Sequence, residues 1–212
     1  MNLALIGAGS VGSALGENWA RSGHRIHFGL RDPSDPKHAA IAARSSASLL
    51  RPAEAVAAAE VVILATPWPA TQQILTDLGD LGGRVLIDCT NPLGMTENGL
   101  ALSTGFTTSG GEMVAQWARN ARVVKALNQT GAEVMRDPSG FAHPPAMFLA
   151  GDDPAARATA ATLIADLGFE PLDAGPLRQA RLLEPLAMVW INQALFQGKG
   201  RAWAFGALPR QS

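Results

Sequence analysis

The sequence has very little cysteine, since Cys89 is the only one among 212 residues. A lone cysteine can form neither an intrachain disulfide nor a cysteine-based metal site, and it suits a reducing compartment. The chain also lacks an uncharged apolar run of about 18 residues, which a membrane span would require. Residues 1–7 enter an apolar strand pattern directly, without a basic region followed by a cleavable hydrophobic segment. We therefore expect a soluble, cytoplasmic protein with no membrane partner.

Neither sign of charge is in excess. Lysine and arginine number 17 against 18 acidic residues, which gives a formal net charge of -1. Neither sign forms long blocks, so nucleic acid is not an expected partner. The four histidines are scattered and stand in no recognisable motif, so each is expected to be structural or solvated. The sequence thus predicts no metal site, and it leaves the catalytic residues unknown.

Short β-rich runs alternate with helical stretches along the first 174 residues. This alternation predicts an α/β fold with a Rossmann-like, doubly wound and mainly parallel sheet. The first four runs are apolar almost throughout, as expected of strands covered by helices on both faces. The predicted strands are Leu3–Ile6, Arg25–Phe28, Val61–Ala65, Val85–Asp88, Val123–Ala126, Ala146–Leu149 and Glu170–Leu172.

The helical stretches lie between these strands, and two of them begin with an aspartate followed by a proline, which is typical of an N-cap and the first helical position. The predicted helices are Val11–Ser22, Pro36–Ala43, Pro52–Ala59, Pro69–Leu78, Gly111–Arg119 and Pro154–Leu167. After about residue 174 the strand pattern stops. No linker separates the C-terminal residues from the strands, so we predict one NAD(P)-binding domain over 1–212, with 175–212 as a helical C-terminal appendage within it.

A glycine-rich turn comes after the first predicted strand. The segment from Leu3 to Gly12 reads LALIGAGSVG, so strand, glycines and helix occur in the order that a dinucleotide site requires. Gly7 suits the tight turn, Gly9 lets the backbone approach a pyrophosphate, and Gly12 allows close packing of helix and strand. The free N–H groups of the helix N-terminus would bind the phosphates. The candidate pyrophosphate residues are Gly7, Ala8, Gly9, Ser10, Val11 and Gly12.

The end of the second strand favours NADP over NAD. NAD-binding chains place a carboxylate there for the ribose 2′-OH, whereas this chain has Leu30 and Arg31. An arginine can hold a 2′-phosphate through two charge-assisted hydrogen bonds, and Lys37 could add a second positive charge. Two alternatives stay open: Arg31 and Lys37 could be solvated loop residues, and Asp32 could accept a ribose hydroxyl and permit NAD.

Two further strand ends carry candidate residues for the nicotinamide half: Ala65, Thr66, Pro67 and Trp68 after one strand, and Thr90, Asn91 and Pro92 after the next. The carboxyl ends of the strands form one edge of the sheet, where open α/β sheets bind their ligands. The alternative is that both segments are ordinary strand-to-helix turns. Lys125, at a third strand end, could contact a bound anion or be a plain strand-end lysine. Cys89 could be a reactive thiol, although a buried cysteine usually acts as a small hydrophobe.

Several motifs together are specific to one family: GAGSVG, LRDP, ATPWPA, DCTNPL, VVKALNQTGAEVM and the tail EPLAMVWINQALFQGKGRAWAF. Over nearly its whole length the chain resembles the NADPH-dependent reductases of coenzyme F420, a deazaflavin. The dinucleotide domains of some membrane metalloreductases, which use a flavin, look similar. In the F420 reductases the nicotinamide lies against a flat deazaflavin ring, and hydride passes directly between them.

The resemblance implies roles for particular residues. Gly7 to Gly12 would hold the pyrophosphate, Arg31 the 2′-phosphate, and Thr66 to Trp68 the nicotinamide side. The pocket of the second ring would be shaped by Asn91–Leu93, Asn128–Thr130 and the tail around Trp190. Family members often have a hydroxyl residue just before the arginine and a lysine four positions after it. This chain has Leu30 before Arg31 and Lys37 six positions after it, so its selectivity for NADP would be weaker.

We therefore predict an NADP-dependent oxidoreductase that transfers hydride between NADPH and a small-molecule redox acceptor, a deazaflavin (F420) or a flavin-like ring. Holding donor and acceptor at about 3–3.5 Å supplies most of the advantage in such a reaction, so no acid–base pair is required. One alternative is a reductase of a small carbonyl or imine, although only 62 residues (212 minus 150) come after residue 150 to form a substrate domain. Another is a non-catalytic NADPH-sensing module. The apolar tail also suggests a homodimer.

Overall fold

Ten strands are present in the computed structural model, which describes residues 1–208 and 210. They are β1 (Asn2–Ile6), β2 (Arg25–Gly29), β3 (Ser48–Leu50), β4 (Val61–Leu64), β5 (Val85–Asp88), β6 (Leu93–Thr96), β7 (Gly99–Leu102), β8 (Arg122–Lys125), β9 (Ala146–Gly151) and β10 (Glu170–Asp173). Eight of them form one sheet in the order β10-β9-β8-β5-β4-β1-β2-β3, and β6 pairs with β7 in a separate hairpin.

The order of the first six sheet strands along the chain is that of the doubly wound dinucleotide-binding fold, in which β1 lies at the centre and the chain crosses over it. All neighbouring pairs are parallel except β8 and β9, which are antiparallel. The strands β4 and β5 are buried throughout, as expected where helices cover both faces of a sheet. The prediction of a mainly parallel, Rossmann-like α/β fold is confirmed.

Helices connect the strands and cover the two faces of the sheet. They are α1 (Ser10–Arg21), α2 (Ala39–Ser45), α3 (Pro52–Ala57), α4 (Trp68–Leu78), α5 (Gly110–Trp117), α6 (Ala132–Arg136), α7 (Pro154–Asp166) and α8 (Ala180–Ile191); short 3-10 turns span Pro36–His38 and Leu177–Gln179, and α8 continues into a π-turn over Asn192–Phe196.

The two predicted aspartate caps are present, but they cap different structures. Asp153 accepts a hydrogen bond from the N–H of Ala156 at 2.7 Å and starts α7. Asp35 accepts from the N–H of Lys37, yet the prediction of one helix over Pro36–Ala43 is wrong at its start. The N–H of His38 bonds to the carbonyl of Asp35, three residues back, which is the spacing of a 3-10 turn.

The sequence does not predict β3, the β6–β7 hairpin or α6. These elements have three to five residues each, too few for a hydrophobic period to show. Pairing along the edge of β2 forms β3, so its conformation depends on a neighbour distant in sequence. This strand carries the chain to the same sheet edge as β2.

The C-terminal segment is tied to the sheet by hydrogen bonds. The carbonyl of Trp203 accepts from the indole N–H of Trp190 at 2.9 Å and from the hydroxyl of Thr130. The carbonyl of Phe205 accepts from the N–H of Ala146, the first residue of β9. The C-terminal segment is therefore bonded to the sheet as far as Phe205, and residues 209, 211 and 212 of the appendage predicted over 175–212 lie outside the described part of the chain. In the part described, no helix is long and apolar enough to cross a membrane.

Candidate functional site

The first residues after four neighbouring strands lie side by side along one edge of the sheet. Each donates its N–H to a carbonyl near the end of the adjacent strand. The bonds join Gly7 to Gly29, Ala65 to Ile6, Cys89 to Leu64 and Ala126 to Asp88, with N···O distances of 3.4, 3.0, 3.1 and 3.1 Å. The loops that carry the candidate residues thus meet at the carboxyl edge, as open α/β sheets require of a ligand site.

Two of the three loop glycines are required by close packing within the protein. Gly7 has φ of +107°, and a Cβ placed there would lie 2.6 Å from the carbonyl oxygen of Ala65. A Cβ on Gly12 would lie 2.1 Å from the carbonyl oxygen of Gly7. A side chain at either position would force the backbone of β1, β4 or α1 to move, so these glycines let the turn and the helix pack against the strands.

Gly9 differs from both, because the protein itself does not require a glycine there. Its φ is -72° and its ψ is -169°, which any residue adopts, and a Cβ would meet nothing within 4 Å. Gly9 also precedes α1 as its N-cap, without a side-chain cap and without an acidic residue in the first turn. The N–H groups of Ser10 and Val11 therefore begin a helix of 12 residues with its positive dipole end open. These features fit a pyrophosphate that approaches the bare backbone at Gly9.

The end of β2 presents one side chain to solvent and buries its neighbour. Leu30 is 5% exposed and packs in the core, and its N–H donates to the carbonyl of Leu50, so its side chain is not available to a ligand. Arg31 is exposed, and none of the described residues accepts a hydrogen bond from its guanidinium. Lys37 forms an ion pair with Asp35 at 2.5 Å. Of these candidates, Arg31 is thus the cation free to bind an anion.

Asp32, which could have served a ribose hydroxyl, is engaged with its own turn. Its Oδ1 accepts from both the hydroxyl and the N–H of Ser34, at 2.6 and 3.0 Å. These two hydrogen bonds hold the pKa of the Asp32 carboxyl below its ordinary value, and the charge of Arg51 contributes in the same direction. The arrangement favours a 2′-phosphate over a 2′-hydroxyl at this strand end.

The segment after β4, residues 65–71, forms a corner at the carboxyl edge that hydrogen bonds and ring packing hold in place. The hydroxyls of Thr66 and Thr71 lie 3.0 Å apart, and Thr71 also donates to the carbonyl of Pro67. The indole of Trp68 packs against that of Trp117 with ring centroids 5.4 Å apart. Ala65 and Trp68 are half-buried and Pro67 is exposed, so this corner presents apolar surface next to the glycine loop.

The segments after β5 and β8 are joined by reciprocal amide hydrogen bonds. Asn91 donates to the backbone carbonyl of Asn128, and Asn128 donates to Oδ1 of Asn91, both at 2.9 Å. Gln129 is clamped to Phe148 of β9 through the N–H and C=O of Phe148. Leu127, buried between these groups, has φ of +58°, an uncommon conformation for a bulky residue that the packed surroundings maintain.

The ammonium of Lys125 is buried and paired within the protein, which disfavours the interpretation that it contacts a bound anion. Its side chain is fully buried, with Nζ 2.9 Å from Oδ2 of Asp88 and 3.0 Å from Oε1 of Glu184. It also donates to the carbonyl of Thr90. Burial alone would lower the pKa of the Lys125 ammonium, but the two carboxylates outweigh it and raise that pKa above its ordinary value. Lys125 therefore ties the end of β8 to the end of β5 and to the loop that follows β5.

The remaining hydrogen-bonding capacity of this ion cluster is satisfied. Oδ1 of Asp88 accepts from the N–H and hydroxyl of Thr90. The two oxygens of Glu184 accept from the N–H groups of Gly110 and Gly111, both at 2.9 Å. Glu184 thus closes the N-terminus of α5 and ties α8 to the site, a role that no motif in the sequence indicates.

The thiol of Cys89 lies in surroundings that disfavour its ionised, nucleophilic form. Cys89 is 7% exposed, and burial, reinforced by the charge of Asp88, raises the pKa of its thiol far above the ordinary value. The thiol therefore remains protonated and packs as a small hydrophobe.

The aromatic residues of the tail pack on one another. Trp190 is 5% exposed and stacks on Trp203 with ring centroids 5.9 Å apart, while Phe205 meets Trp203 edge to face at 5.2 Å. A Cβ on Gly131 would lie 2.8 Å from the indole of Trp190, so the tail fits closely over the loop after β8. Trp190 thus supports that loop from the core side.

Together, the fold and the glycine loop define a dinucleotide-binding protein of the Rossmann class. The family model for coenzyme F420-dependent NADP oxidoreductases matches residues 2–92. A crystal structure of a candidate F420-dependent NADP-reductase from Arthrobacter sp. FB24 superposes with a TM-score of 0.88 and 32% identity, covering 99% of this chain and 100% of that one. The chain belongs to the family of coenzyme F420-dependent NADP oxidoreductases, and its class is that of an NADP-dependent oxidoreductase.

Two further proteins are similar to this chain over most of its length. Metalloreductase STEAP3 of Rattus norvegicus is 26% identical over 186 residues, which are 88% of this chain. The chain spans only 36% of that relative's length. An imine reductase from Aspergillus terreus has the same fold, with a TM-score of 0.67 and 19% identity over 93% of this chain and 63% of that one.

Proposed function

We propose that the protein transfers hydride between NADPH and a deazaflavin, coenzyme F420, at the carboxyl edge of the sheet. Two features of that edge support the proposal. The glycine loop is open to a dinucleotide, and the titratable groups nearby are already paired with one another. The ionisable side chains beneath the strand ends, those of Asp88, Lys125 and Glu184, are buried and bound to one another. Hydride transfer between two rings suits such an edge, since it needs positioning more than proton transfer.

Each part of the edge has a role toward NADPH. The N–H groups at the start of α1 bind the pyrophosphate, and Gly9 admits it by lacking a side chain. Arg31 holds the 2′-phosphate. Thr66, Pro67 and Trp68 form a wall for the nicotinamide, while Thr90, Asn91 and Pro92 form its floor. NADPH, when bound, supplies the hydride.

The residues toward the acceptor are expected to orient a flat ring and exclude water. The loops of Asn91–Leu93 and Asn128–Thr130 are braced by their mutual hydrogen bonds, so they provide a rigid border. Family membership supports F420 as the acceptor. A flavin remains the nearest alternative because of the similarity to a metalloreductase.

The acceptor is tested by incubating the protein with NADPH and, in turn, F420, FMN, FAD and a panel of small carbonyls and imines. We expect loss of NADPH absorbance with F420. Loss only with carbonyls or imines would replace this proposal with a reductase of such substrates. No loss with any acceptor, despite tight NADPH binding, would indicate a nucleotide-sensing module.

We further propose that two chains associate through the exposed side of α8. Leu182 and Val189 lie seven residues apart in α8 and are 65% and 52% exposed, and such a spacing places them on one helix face. Phe196, which is 58% exposed, lies in the π-turn that follows. An apolar stripe of this kind suits a two-fold, self-complementary contact. Light scattering should give the mass of a dimer, and Leu182→Glu with Val189→Glu should give that of a monomer. A wild-type monomer at micromolar concentration would refute the dimer.

A further inference from the structure

A second arginine stands beside Arg31 at the same edge of the sheet. Arg51 comes directly after β3, whose last residue, Leu50, pairs with Gly29 of β2. The N–H of Leu30 donates to the carbonyl of Leu50 at 2.8 Å, which extends the pairing beyond the strands. Because adjacent strands lie roughly 5 Å apart, Arg31 and Arg51 leave the sheet from neighbouring positions.

The side chain of Arg51 is as free as that of Arg31. It is exposed, and in the described ranges no carboxylate or carbonyl accepts a hydrogen bond from its guanidinium. Its backbone N–H is held by the carboxylate of Glu54 at 3.0 Å, which anchors the residue at the start of α3 while leaving the guanidinium available. The position of the residue is therefore fixed, and its charge is not neutralised by an ion pair.

The acidic groups nearby are occupied by other partners. Asp32 is bonded to Ser34, and Asp35 is paired with Lys37. Neither carboxylate forms an ion pair with Arg31 or Arg51 in the described part of the chain.

We propose that Arg51 is a second determinant of NADP selectivity, which binds the 2′-phosphate from β3 while Arg31 binds it from β2. This inference rests on the proposed binding of NADPH at the glycine loop. A doubly charged phosphate between two guanidinium groups would be held more strongly than by one, because each arginine contributes charge-assisted hydrogen bonds. The ribose hydroxyl of NADH offers neither charge nor phosphate oxygens to Arg51.

The test is the dissociation constant of NADPH and of NADH, measured by titration calorimetry for wild type, Arg51→Gln, Arg51→Lys and Arg31→Ala. Arg25→Ala is the matched control, since Arg25 is an exposed arginine at the opposite end of β2. We expect Arg51→Gln to weaken NADPH binding about fivefold or more and Arg31→Ala about tenfold or more, as for charged hydrogen bonds. NADH binding should not change in either variant, Arg51→Lys should retain most of the affinity, and Arg25→Ala should match wild type.

The results for Arg51 and for Arg31 can be interpreted separately. If Arg51→Gln leaves NADPH affinity unchanged, or weakens NADPH and NADH equally, the role of Arg51 is refuted whatever Arg31→Ala does. If Arg31→Ala leaves both affinities unchanged, the proposed 2′-phosphate site at β2 fails, while a selective loss in Arg51→Gln would still support Arg51. Binding of 2′-phosphoadenosine against adenosine provides the same comparison without the nicotinamide half.

Discussion

Replacement of Gly9 by aspartate is expected to abolish nucleotide binding while leaving the protein as stable as wild type or slightly more stable. The backbone at Gly9 is extended, as at an ordinary N-cap, and a Cβ there meets no protein atom. An aspartate would cap α1 by accepting from its first N–H groups, which adds roughly 0.5–1 kcal/mol of stability. The same carboxylate would occupy and repel the pyrophosphate position, so both NADPH and NADH should bind about a hundredfold or more weakly.

Two other variants make this result specific. Gly9→Ala adds a methyl group in open space, so its free energy of unfolding should fall by no more than about 1 kcal/mol, since alanine is a poorer N-cap than glycine, and its loss of binding should be smaller. Gly12→Ala places a Cβ 2.1 Å from the carbonyl oxygen of Gly7 and should lower the free energy of unfolding. Calorimetry and thermal unfolding check both properties. Normal NADPH binding by a folded Gly9→Asp protein would contradict the proposed pyrophosphate site.

Replacement of Lys125 by methionine is expected to lower the free energy of unfolding by about 3–5 kcal/mol. Methionine fills a similar volume but leaves the carboxylates of Asp88 and Glu184 buried without the cation that lies between them. Since small domains are stable by only about 5–15 kcal/mol, this is a large fraction of the total. The carbonyl of Thr90 also loses its donor, so the loop that carries Asn91 should loosen.

Urea unfolding measures this loss, with Lys37→Met as the control because the Lys37 side chain is 69% exposed; its effect should lie within about 0.5 kcal/mol. The raised pKa of Lys125 determines how its contribution to the free energy of unfolding depends on pH. A lysine with a raised pKa contributes fully below the ordinary lysine pKa of about 10.4 and loses its contribution as pH rises through the higher value. The contribution of Lys125 to the stability of the wild-type protein should therefore be constant near neutral pH and be lost in strong alkali. A deficit below about 1 kcal/mol would contradict the role of this cluster.

The buried strands and the glycine loop could be predicted because local sequence determines them. The buried strands β1, β4 and β5 are apolar almost throughout, and Gly7 and Gly12 sit where backbone contacts exclude a Cβ. Arg31 could be proposed because it lies just beyond a strand that is long enough to detect. In each case the residues that determine the feature are close to it in the sequence.

Other parts of the site depend on contacts between distant segments. Arg51 could not be connected with Arg31, because β3 has three residues and is recognisable only through its pairing with β2. Lys125 and Glu184 lie 59 positions apart (184 minus 125), and nothing in either local pattern indicates a buried ion pair. Leu30 is a candidate by position alone, and its burial in the core removes its side chain from the site.

In the proposed reaction, NADPH delivers hydride to F420 at this edge of the sheet. The most direct measurement is an anaerobic assay of NADPH oxidation and F420 reduction by the same sample, with the folded Gly9→Asp protein as the blank. We expect the two changes to be equal in moles with wild type and to be lost with Gly9→Asp. F420 reduction that persists in Gly9→Asp, or NADPH oxidation by wild type without F420 reduction, would contradict it.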